Sequence, residues 1–90
     1  MPENEYEKAA RMAKATKICD IIAATKVTAA EIEQGMVDEP DLVAEMWLAA
    51  AAQAHVPSPS DTTKALVLQF LRNREKADQE ARWRYARRER

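Results

Sequence analysis

The stretch Asp38-Glu-Pro-Asp-Leu-Val-Ala-Glu-Met-Trp-Leu-Ala-Ala-Ala-Ala-Gln-Ala-His55 decides the fold class. Pro40 suits the first turn of a helix, where its missing N–H is not needed. Asp38, Glu39 and Asp41 favour the positive N-terminal end of that helix. From Leu42 to Ala54, 11 of 13 residues are apolar. The stretch is too short to cross a bilayer, which takes about 20 residues, and Glu45 and Gln53 interrupt it. A helix without a polar face reads as a central one, wrapped by its neighbours. Its alanines let those neighbours approach closely.

Upstream, Thr28-Ala-Ala-Glu31 has the form of a capping box: the hydroxyl accepts from an amide three residues on, and the glutamate reaches back. A short helix follows that buries Ile32, and Gly35 offers it a left-handed stop. Further upstream, Asn4 to Thr25 reads as a helix whose second half presents Ala15, Ile18, Ile21 and Ile22 to a core. Glu7, Arg11 and Lys14 replace apolar residues on that face, so the first turns are expected to project or fray. Downstream, Val56-Pro-Ser-Pro-Ser60 cannot be helical throughout, and Ser58 or Ser60 caps a fourth helix. Ala65 to Leu71 is its apolar start. Beyond Arg72 the pattern turns polar, yet no Gly or Pro ends the helix. Asp78–Arg82 and Glu80–Arg84, acid before base at a four-residue spacing, support it. Continued to about Arg88 it would be ~45 Å long, against ~25 Å for the third helix, so its end should project.

Composition agrees with an all-α domain. A chain of 90 residues holds one core, and one Gly and four Pro argue against a turn-rich β protein. One Cys excludes an internal disulfide framework, and with one His it makes a zinc site a poor expectation. The predicted architecture is a small compact bundle of three to four helices with a long, projecting, basic C-terminal helix. Residues 1–15 form the projecting start, 16–72 the core and 73–90 the extension. The expected core runs from Ile18 to Leu71 and includes Met36, Val37, Leu42 and Leu48 beside Trp47. A core this small is marginal alone, and self-association would help it.

Charge is segregated. The formal net charge is -1, but Val27 to Thr63 contains no Lys or Arg and seven acidic residues. From Arg72 to Arg90 eight basic residues face four acidic ones. Such asymmetry bears on partners rather than on fold.

No constellation assigns a reaction. His55, Ser58 and Asp61 lie close in sequence, but a triad needs a base between the other two and an oxyanion-stabilising turn. Helix-end and capping roles explain them. Cys19 reads as a buried thiol. Asp38, Glu39 and Asp41 lack the alternate spacing and the glycine of a calcium loop. Ile18 to Gln34 has the rhythm of a helix-turn-helix, but its second helix carries Glu31 and Glu33, which phosphates repel, and no Arg or Lys. The expectation is therefore no catalytic residue, no cofactor and no metal.

The informative segment is the C-terminal run. Trp83 and Tyr85 interleave with Arg82, Arg84, Arg87 and Arg88, the residue types that dominate binding hot spots. The function expected from it is that of a small non-enzymatic interaction protein, an adaptor, inhibitor or assembly component of the kind phages and mobile elements encode, acting by occupying a partner's surface. A second mode would use Glu31, Glu33, Asp38, Glu39, Asp41 and Glu45 as an acidic face for a basic partner. The tail of one chain could also lie on the acidic region of another, as a homodimer. The alternative is a nucleic-acid-binding regulator with the basic helix on phosphates. With an acidic, polar start and no lipidation cysteine, no membrane association and a cytoplasmic location are expected.

Overall fold

The computed structural model describes residues 4–88, with side chains through residue 86. The helices are α1 (Glu5–Ala24), α2 (Ala29–Asp38), α3 (Pro40–Gln53) and α4 (Asp61–Arg88), with no strand among the described residues. The chain is an all-α bundle with a long C-terminal helix. No helix among the described residues is long and apolar enough to cross a membrane.

Local chemistry sets the ends of the helices. Asn4 Oδ1 accepts from the Glu7 amide at 2.7 Å and starts α1. The Thr28 capping box forms in both directions, at 3.1 and 3.4 Å. Glu39 stands before α3 without a side-chain cap, and Pro40 opens the helix. Of the two candidate serines, Ser60 caps α4, with Oγ accepting from the Thr63 amide at 3.3 Å. Gly35 does not stop α2. No glycine has a positive φ; the left-handed positions are Lys26 (φ 65°) and His55 (φ 56°), which follow α1 and α3. Gly35 lies inside α2, where a Cβ would sit 2.7 Å from Val43 Cγ2. Its role is the close approach of α2 to α3.

Trp47 is the largest fully buried side chain. Its indole N–H has no acceptor among the described residues, so packing alone holds the ring. It belongs to one buried core with Ala15, Ile18 and Ile22 of α1, Ile32 of α2, and Val67, Leu68 and Leu71 of α4. Cys19 is buried in the same core, and burial pushes its thiol pKa up, against the lowering effect of nearby Arg74.

Helix α1 lies against α4 and α3, and α2 lies against α3 and α4. Thr16 and Cys19 share a cleft with Phe70 and Arg74, while Ala23 and Lys26, farther on, share one with Asp78 and Arg82. The two longest helices therefore advance in the same direction.

Helix α3 is not enclosed on all sides. Val43, Trp47, Ala50, Ala51 and Ala54 form its buried stripe. Leu42 and Leu48 are exposed, as are Met36 and Val37 at the end of α2. These four were expected in the core. With α1 and α2 as its packing neighbours, α3 has more apolar surface than they can cover.

Candidate functional site

Two surfaces come together from the residues singled out by the sequence. The first is the end of α4. Leu71 is its last buried residue and Glu75 its last half-buried one, while every described side chain from Lys76 to Ala86 is exposed. Below that point α4 is fastened to the body. Arg72 pairs with Glu33 of α2, and Arg74 pairs with Asp20 of α1. The hydrogen bond to Asp20 raises the pKa of Arg74. Glu75 Oε1 accepts from the Ala29 amide at 2.9 Å. That amide belongs to the first residue of α2 and has no partner within its own helix. Glu75 therefore caps α2 from a different helix, and its carboxylate lies at the positive end of the helix dipole.

Leu71, Glu75, Asp78, Arg82 and Tyr85 recur every three or four residues and form one stripe of α4. The first four line an open cleft of about 600 Å³ with Lys26 and Thr28 of the α1–α2 turn. Asp78 and Arg82 thus run past this cleft in the first half of a helical arm that begins at Lys76. Trp83 and Tyr85 are 64% and 68% exposed. Two residues apart on a helix, they point to nearly opposite sides, and exposed Arg84 lies between them. Arg87 and Arg88 belong to the last turn of α4, but their side chains lie outside the described residues.

The second surface is a groove of about 520 Å³ between α2 and α3. Val27, Ile32, Leu42, Val43, Met46 and Ala49 make it apolar, and Glu31, Glu39 and Glu45 also line it. Leu42, Met46 and Ala49 form a second apolar stripe on α3, beside the buried one. The six acidic residues grouped by the sequence thus divide. Glu31, Glu39 and Glu45 meet at the groove. Glu33 is occupied by Arg72, Asp38 accepts from Gln34 Nε2 at 2.8 Å, and Asp41 is exposed in the first turn of α3.

Two features escaped the sequence reading. The Glu75 cap had a signal, since Glu75 follows Leu71 by four residues on the core-facing stripe. The groove had one too, in the two parallel apolar stripes of α3. Among the described residues no group of three or more His, Cys, Asp or Glu could hold a metal ion. Comparison with protein-family models, with curated proteins and with solved structures finds no match.

Proposed function

We propose that this chain is a small non-enzymatic protein-interaction module, an adaptor, inhibitor or assembly component, that acts by placing its C-terminal arm on a protein surface. One observation carries the reading. The arm holds Trp83 and Tyr85 out on a helix, beyond the last buried residue, with arginine beside them. Tyr and Trp supply large contact area at little cost in side-chain order, and Arg adds directional hydrogen bonds. The nucleic-acid alternative draws on the same arginines. It is less favoured because Asp78 and Glu80 lie on the arm and Glu31, Glu39 and Glu45 line the nearby groove, all of which repel phosphates.

The test is photo-crosslinking in cells that produce the chain, with benzoylphenylalanine in place of Tyr85. The expected result is a discrete protein adduct that Arg84→Glu abolishes. Adducts to nucleic acid, or none, would reject the module reading.

A further inference from the structure

We infer that the α2–α3 groove is the receptor for the C-terminal arm of a second copy of this chain, so that two copies exchange arms reciprocally. The inference rests on the proposed role of the arm as the interaction element and names its partner.

Charge complementarity is the first argument. Three glutamates line the groove, in a region from Val27 to Thr63 that has no Lys or Arg. The arm from Lys76 to Arg88 carries five basic residues (Lys76, Arg82, Arg84, Arg87, Arg88) against two acidic ones (Asp78, Glu80). An apolar floor with acidic walls suits a basic helix that carries an aromatic side chain, the helix-in-groove mode of recognition.

Dimensions agree. The arm from Lys76 and helix α3 from Pro40 are of nearly equal length, about 20 Å each at 1.5 Å per residue. Its outer part, from Trp83 to Arg88, is about 9 Å long and clear of the chain's own cleft, so it can lie along part of the wall that α3 provides.

Reach excludes the chain's own groove. Helix α4 is unbroken from Asp61 to Arg88 and contains neither Gly nor Pro. Asp20, Glu33 and the Ala29 amide hold its lower half. An arm anchored in this way cannot fold back onto α2 and α3. It can only enter the groove of another molecule.

Placement favours exchange over an open chain of copies. Val27 lines both the cleft at the arm's root and the groove. The groove therefore opens beside the point where the arm leaves the body. An arm entering a partner's groove runs close to the root of the partner's own arm, and a two-fold arrangement satisfies both contacts at once. Because Trp83 and Tyr85 point to opposite sides of the helix, one can face the groove while the other faces the partner's arm.

The experiment is sedimentation equilibrium of the full chain at concentrations up to roughly 100 μM. It is run on the wild type, on an arm variant (Trp83→Ser with Tyr85→Ser), on a groove variant (Leu42→Lys) and on an equimolar mixture of the two variants. All the substituted side chains are exposed, and circular dichroism checks each fold. The wild type is expected to be a dimer. Each variant alone should associate at least about tenfold more weakly. The mixture should recover association, because one intact arm still meets one intact groove. A monomeric wild type overturns the inference. So does a groove variant that dimerises like the wild type, which would mean that arms pair with arms, or a mixture no better than its components. If Leu42→Lys does not fold, Glu45→Arg tests the groove in the same way. A crosslink from position 85 to a different protein, with a monomeric wild type, overturns this inference while leaving the module reading intact.

Discussion

Helix α4 is one continuous element with two different reasons for being helical. From Asp61 to Glu75 it is held by tertiary contacts: Val67, Leu68 and Leu71 are buried, Arg72 and Arg74 pair with other helices, and Glu75 caps α2. From Lys76 onward no described side chain is even half-buried. That half depends on its own backbone ladder, nucleated by the half below it. The contrast teaches that anchored packing can project a polar helix well past the core that starts it. It also separates the half that bears on folding from the half on which the proposed interaction rests.

The sharpest way to break this contrast is to compare the two tryptophans. Trp47→Ala should cost about 3–5 kcal/mol, the usual range for removing a large aromatic from a core. In a domain of this size that is enough to unfold much of the population. Trp83→Ala should stay within about 0.5 kcal/mol in monomer stability, as exposed substitutions do. Urea titration at a concentration below self-association measures both, and comparable losses would erase the distinction.

A smaller effect sharpens the boundary between the halves. Glu75→Ala removes the acceptor of the Ala29 amide and should cost about 1 kcal/mol, in the range of helix caps. Glu75→Gln keeps an acceptor oxygen and should recover part of that loss. Hydrogen exchange at Ala29 gives a local readout, faster in the alanine variant than in the glutamine variant. Equal exchange in both would move the boundary back to Arg74.

The smallest effect is one of pH. Burial raises the Cys19 thiol above its ordinary value of 9.0. Above that pH the unfolded chain loses the thiol proton first, so the native state holds more protons than the unfolded state and stability falls as pH rises. The decline starts near pH 9 and stops once the folded thiol has also ionised. Cys19→Ala should flatten this part of the profile, followed by thermal melts between neutral and alkaline pH. An unchanged slope would place its origin in another group.

The fold was largely legible in the sequence because its signals are local. A hydroxyl and a carboxylate three residues apart make the Thr28 box, and a proline at a first turn opens α3. Apolar spacing along α1 and α4 marks the faces that pack. The candidate surface was legible only in part. Arg82, Trp83, Arg84 and Tyr85 are exposed where their residue types suggested a binding surface. Arg72 and Arg74 appeared to belong to the same basic tail, yet they bond to residues 39 and 54 positions away. Nothing in neighbouring residues announces such partners.

The sequence by itself determined which segments are helical, where most of them begin and that α4 outruns the body, because hydrogen-bonding caps and helical periodicity act over a few residues. Only the tertiary structure decided which side of the largely apolar α3 is covered. Periodicity ranks faces by contrast, and a helix with apolar residues on most sides offers little. The choice falls to shape: Gly35 admits Val43 closely, Trp47 fills the centre, and the stripe of Leu42, Met46 and Ala49 is left facing a groove with glutamates in its walls.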